Sequence, residues 1–181
     1  MPRWRSRQER PGIVGDGCDT GAMTATATAT WRQFAGEAPE LAQAVRARFE
    51  ATKHHVLATL RRDGSPRVSG TEVQFHSDDL TTGSMWGAVK ARDLQRDGRF
   101  ALHANPGDGS MEGGDAKLSG QAVEVTDPEE LRAFIEAQEP PEPFHLFRLL
   151  IGEAVLTSVQ GDRLVIESWR PGTPPRRVAR R

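Results

Sequence analysis

Cysteine, lysine and long apolar runs are all scarce in this chain of 181 residues, and each scarcity excludes a class of explanation. The single cysteine, Cys18, allows neither an intramolecular disulfide nor a cysteine cluster for a metal. Apolar runs such as Leu149–Ile151 fall far short of the ~20 residues that a membrane-spanning helix needs. An excess of one sign of charge is missing too: the formal net charge is −1, which gives no reason to expect nucleic acid or an anionic membrane as partner. There is no phosphate-binding P-loop, no Ser–His–Asp ordering and no paired catalytic carboxylate, so no catalytic residue is assigned. The expectation is a soluble, cytoplasmic protein.

What is present reads as one domain with a tail at each end. Residues 1–29 form an N-terminal extension. Its first 22 residues have a basic start but no apolar stretch of the kind a secretory signal needs, so they are either upstream of an alternative start at Met23 or a disordered tail. Residues 30–170 carry the periodic patterns, and 171–181 (PGTPPRRVARR) form a basic tail.

In EAPELAQAVRARFE, Pro39 suits a first helical turn, and Leu41, Val45 and Phe49 follow as one apolar stripe. His55–Leu60 and Pro66–Phe75 flank Asp63-Gly64, a hairpin signal, and Leu80–Ser84 returns as a third strand. The period then changes to helical over Ala88–Arg96, with Val89 and Leu94 expected inward. Phe100–Ala104 is the next strand, followed by a glycine-rich loop over Asn105–Asp115. The carboxylates of that loop, Asp108, Glu112 and Asp115, are expected to be solvated. Ala116–Thr126 alternates as a strand, and Asp127-Pro128 opens a helix. Phe144–Val159 and Arg163–Trp169 close the domain. The sum is mainly β with flanking helices, about seven strands and three helices, mostly antiparallel, best accommodated as a small barrel.

Against 21 arginines there are three lysines, a usage typical of GC-rich coding sequence, and the placing of one of them carries the functional argument. Lys90 lies in the first turn of a predicted helix, just after a strand ending in Gly83-Ser84. Unpaired N–H groups at a helix start favour an anion. Ser84 adds a hydroxyl, Lys90 a point charge that suits phosphate, and Arg67 on the neighbouring strand a planar fork. Met85 and Trp86 beside them suit a ligand with a flat aromatic ring.

PRVSGTEVQF, LTTGS and AVKARDLQRDGRFALH, taken in this order and followed by LSGQAVEVTDPEE, resemble the FMN-binding split-barrel family related to pyridoxamine 5′-phosphate oxidase. The resemblance runs from His55 to Trp169. It implies a six-stranded antiparallel split β-barrel that works as a homodimer with the cofactor at the subunit interface. The cofactor implied is FMN, or alternatively the deazaflavin coenzyme F-420, and the activity an oxidoreductase acting on a small-molecule substrate. Carried over by position, Arg67, Val68, Ser69 and Gly70 would lie along the flavin. Gly83, Ser84, Met85, Val89 and Lys90 would hold its ring edge and phosphate, and Trp169 would reach it across the interface. Two departures argue against vitamin-B6 oxidation. Trp169 is followed by RPGTPPRRVARR where the oxidases have R-L-H-D-R, and Glu72 stands near the place of a lysine on the cofactor strand.

No metal site is assigned. His54 and His55 are adjacent and so point to opposite faces, His103 reads as a barrel-wall residue, and His76 and His145 stand alone. A non-catalytic flavin-binding dimer is the alternative, and an empty-cleft dimer, with Trp86 blocking the site, a third.

Overall fold

The computed structural model describes residues 27–181 except 77, 107–110 and 112. The extension up to residue 26, with Cys18 and Met23, and the loop carboxylates Asp108 and Glu112 lie outside the described residues. No described helix is long and apolar enough to cross a membrane.

The chain opens with two short helices, α1 (Trp31–Glu37) and α2 (Pro39–Glu50). A capping box starts α1: Thr30 accepts from the Gln33 amide while the Gln33 side chain accepts from the Thr30 amide. Helix α2 buries Leu41, Ala42, Val45 and Phe49, the predicted stripe with one alanine added. Then come β1 (His55–Leu60), β2 (Pro66–Thr71), β3 (Gln74–His76), β4 (Asp79–Met85) and α3 (Val89–Arg96). The remainder is β5 (Arg99–His103), β6 (Asp115–Glu124), α4 (Pro128–Gln138), β7 (Phe144–Gln160), β8 (Arg163–Trp169) and β9 (Arg176–Arg180).

The described residues thus hold nine strands and four helices, where the sequence pattern predicts about seven and three. The additions have local causes. The predicted strand Pro66–Phe75 is interrupted at Glu72-Val73 and becomes β2 and β3. Arg176–Arg180 in the basic tail pairs with β8, and α1 precedes the predicted helix.

All strand pairs are antiparallel, in the order β2-β1-β5-β6-β7-β4-β3. The sheet does not close. Its branching follows from the length of β7: residues 144–148 pair with β4, residues 154–160 pair with β8, and β6 runs along the other edge. The core between sheet and helices is built on Phe34, Val45, Leu57, Leu102, Phe147, Leu149, Ile151 and Trp169.

One glycine is dictated by this arrangement. The register between β6 and β7 shifts at Ser119/Gly120, and a Cβ on Gly120 would collide with the Leu150 carbonyl oxygen. Backbone cannot yield as a flexible side chain can. Gly120→Ala is therefore expected to cost about 3 kcal/mol, read as a lowered midpoint in urea unfolding; an unchanged midpoint would contradict the bulge geometry.

Candidate functional site

The rolled sheet leaves β2 and β4 facing each other without a ladder, and side chains bridge the gap. The Thr71 and Thr82 hydroxyls are 2.7 Å apart, and Thr82 Oγ1 also donates to the Glu72 carbonyl at 2.8 Å. From α3, Lys90 Nζ donates to the Gly70 carbonyl at 2.8 Å and lies 3.4 Å from Thr71 Oγ1. A cleft of about 980 Å³ opens over this seam, at the upper end of the range for small-molecule sites. Its walls come from β2, β4 and the start of α3, from the connection between α2 and β1, and from the segment following α4.

Three residues of the cleft wall carry a buried side-chain oxygen with no hydrogen-bond partner among the described residues: Thr52 Oγ1, Gln74 Oε1 and Ser84 Oγ. Buried polar atoms are normally paired, and each exception costs about 1–3 kcal/mol. Helix α3 adds further unmet groups, since Ala88 at its N-cap supplies no side-chain oxygen and its first turn carries no acidic residue. Burial pushes the Lys90 ammonium below its ordinary pKa, against an opposing pull from Glu72. Glu72 is itself shared, with Lys53 Nζ at 3.5 Å and His54 Nδ1 at 3.6 Å. The unpaired hydroxyls of Thr52 and Ser84, a half-buried cation and an open helix start together make an anion-accepting pocket.

The predicted site residues divide. Gly70, Gly83, Ser84, Met85 and Lys90 line the cleft, whereas Val68, Ser69 and Val89 do not. Val89, expected inward, is 46 % exposed; Leu94, also expected inward, is buried, together with Ala91 and Asp93. Arg67 turns away to a partner the sequence reading missed: its Nε donates to Asp93 Oδ2 at 2.6 Å. Asp93 is 3 % exposed and also accepts from Thr59 Oγ1 and Arg96 Nη2, each at 3.1 Å. Its burial would raise the carboxyl pKa, but the hydrogen bonds from Arg67, Arg96 and Thr59 outweigh this and hold it below the ordinary aspartate value.

Trp169 is not brought to the cleft. It is 1 % exposed, its ring lies 4.6 Å from that of Phe34, and its Nε1–H donates to Glu37 at 3.2 Å. Trp86 stays clear of the cleft too, stacked on His145 with the ring centroids 4.5 Å apart. His145, expected to stand alone, is thus engaged, as is Asp115, which pairs with Lys117 at 2.6 Å and His103 at 2.9 Å. His54 and His55 do separate, one exposed and one buried against Phe49. Burial, with His54 close by, lowers the His55 pKa despite Glu72. No group of three or more metal-ligating side chains occurs among the described residues.

Residues 41–157 match the family described as pyridoxamine 5′-phosphate oxidase. No curated protein sequence matches the chain. Among solved structures, it resembles a pyridoxamine 5′-phosphate oxidase-related, FMN binding protein from Nostoc punctiforme, with TM-score 0.55, 11 % identity and coverage of 80 % of this chain and 96 % of that one. PhzG from Burkholderia lata, solved with tetrahydrophenazine-1-carboxylic acid, gives TM-score 0.51 at 21 % identity over 79 % and 89 % of the two chains. A heme binding protein from Mycobacterium smegmatis gives 0.55 at 18 % identity over 72 % and 57 %. At these identities the likeness is one of fold.

Proposed function

The chain belongs to the pyridoxamine 5′-phosphate oxidase family, and on that premise we propose that its cleft holds the phosphate and ring edge of a flavin, FMN or the deazaflavin coenzyme F-420. The observation that carries this reading is the gathering of Thr52 and Ser84, whose hydroxyl oxygens are buried and unpartnered, in the cleft that Lys90 and the uncapped start of α3 also face. Ser84, Lys90 and the first amides of α3 would hold the phosphate, since hydroxyl, ammonium and helix N–H groups all donate to anionic oxygen. Gly70, Gly83 and Met85 would border the remainder of the ligand. Arg67, committed to Asp93, supports the phosphate site by fixing α3 against β1 and β2.

Such a cofactor supplies hydride transfer, and the protein contributes position and electrostatics. The reading is therefore an oxidoreductase acting on a small molecule. Three features argue against pyridoxamine phosphate as that molecule: residues 170–181 contain no histidine, Arg170 is paired with Glu153 at 2.8 Å, and Arg176–Arg180 is built into the sheet. A homodimer is part of the same proposal. Val56, Ala58, Ala101 and Val155 share an open apolar groove on the outer face of the sheet, and Val68 is exposed on the strand beside Val56 and Ala58. A second copy of the chain would cover that surface.

The test is a fluorescence titration of cofactor-stripped protein with FMN and with F-420 in parallel. Saturable binding of one, about tenfold or more tighter than the other, is the expected result and sets the electron donor for a turnover assay. Binding of neither would overturn the proposal, and tight binding without turnover by any donor would favour the non-catalytic module.

A further inference from the structure

The turn between β4 and α3, residues Met85 to Ala88, brings Met85 and Ala88 into the cleft and launches the helix that carries Lys90. Its own hold on the sheet is thin. The Trp86 amide donates to the Pro143 carbonyl at 3.3 Å, and the Ala88 amide closes the turn on the Met85 carbonyl at 3.1 Å. Gly87, at φ +71°, points its amide to His145 Nε2 at 3.2 Å. An imidazole nitrogen that accepts an N–H carries no proton. The proton of the neutral ring is then on Nδ1, which faces Glu124 Oε1 at 2.7 Å. Gln95 of α3 donates to both oxygens of Glu124, at 3.1 and 2.9 Å, and so fixes the carboxylate. The Trp86 indole covers the His145 ring at an interplanar angle of 7°.

We infer that His145, oriented by Glu124, is the positioning residue for the cofactor-binding turn and holds it only while the ring is neutral. A protonated ring would present an N–H at Nε2 to the N–H of Gly87, two donors face to face, and the turn would lose that tie. The groups recorded against the ring are Glu124 from β6, Gln95 from α3, Trp86 and the Gly87 amide from the turn, and Phe147 from β7. Glu124 is the charged one among them. Protonation would keep the contact from Nδ1 to this carboxylate and oppose the one from Gly87 to Nε2. This inference rests on the flavin reading for its consequence in binding, but not for the switch itself.

Two readouts separate the two. The first is Trp emission between about pH 5 and 8, the range in which histidine changes charge, measured on the protein without added ligand. The expected result is a step that Trp86→Phe and His145→Gln both abolish. The second is the dissociation constant over the same range for whichever of FMN and F-420 binds. Affinity should weaken about fivefold or more through the emission step. His145→Gln, whose amide oxygen can still accept from Gly87, should keep the neutral-pH affinity within about twofold and show no step. His145→Phe, which keeps the stack and loses the acceptor, should bind about fivefold more weakly at every pH.

An emission curve without a step overturns the inference, as does His145→Phe binding like wild type, or equal losses in the Phe and Gln variants. If neither cofactor binds but the step is present, the flavin reading falls and the switch stands.

Discussion

Asp93→Asn is expected to cost the protein about 3–5 kcal/mol, the usual consequence of removing one partner from a buried charge pair. The carboxylate is at the junction of three elements: it takes hydrogen bonds from Thr59 of β1, Arg67 of β2 and Arg96 of its own helix. An asparagine has nearly the same shape but no charge, and its one acceptor oxygen cannot serve all three donors. Arg67 would be left with its side chain 23 % exposed and no anion in reach of its Nε. Chemical denaturation reads the loss directly, and a change below about 1 kcal/mol would mean that the pair is no stronger than a surface ion pair.

The same carboxylate sets an acid limit. Its folded-state pKa lies below its unfolded value, so the native state holds the ionised form more tightly. The stability it provides is complete above the unfolded value of about 3.9 and disappears as pH falls through the folded one. The wild-type melting temperature should therefore drop between about pH 5 and 2 with a component that Asp93→Asn lacks. Parallel acid limbs in the two proteins would contradict the assignment.

How far such features can be read in advance depends on the range over which they act. Hairpin turns and helix starts are local, so Asp63-Gly64 and Asp127-Pro128 mark their elements correctly: the Asp127 side chain accepts from the Glu130 amide, and β1 pairs with β2. The capping box of α1 is local as well, but Thr30 closes a repetitive TATATAT stretch that hides it. Strand β9 is different. RRVAR has no apolar alternation of its own, and it becomes a strand because β8 offers it an edge.

Side-chain direction is less accessible still. By residue type, Arg67 and Lys90 are equally fit to meet an anion. The fourth residue of K-A-R-D decides between them, because Asp93 claims the arginine and leaves the lysine. Arg96, three residues on, was a readable hint, since an acid buried on a helix seeks a cation at that spacing. Nothing local marks His145, whose contacts come from residues 21, 50 and 58 positions away. Family position alone puts Trp169 at the cofactor, and within this chain its indole packs on Phe34 and donates to Glu37.

Lys90→Ala is expected to weaken FMN or F-420 binding by more than tenfold, since a charge-assisted contact to phosphate contributes about 1.5–3 kcal/mol. The structure changes what should accompany that loss. The side chain is half-buried and spans the seam to the Gly70 carbonyl. Removing it deletes one hydrogen bond to a strand edge, a net loss of about 0.5–1.5 kcal/mol. It also removes the burial that holds the ammonium below its usual pKa, a cost to the empty protein that the substitution relieves. The two effects oppose each other, so stability should change by no more than about 1 kcal/mol while affinity collapses. Lys90→Arg keeps the charge and should recover part of the binding, less than the full amount because the planar fork cannot follow the path of the ammonium to Gly70. Titration of the three proteins at two salt concentrations separates charge from shape. A charge contact weakens with salt in the wild type and the arginine variant and is absent from the alanine variant. Equal affinities in all three would remove Lys90 from the site and leave Ser84 and the helix start to hold whatever anion the cleft accepts.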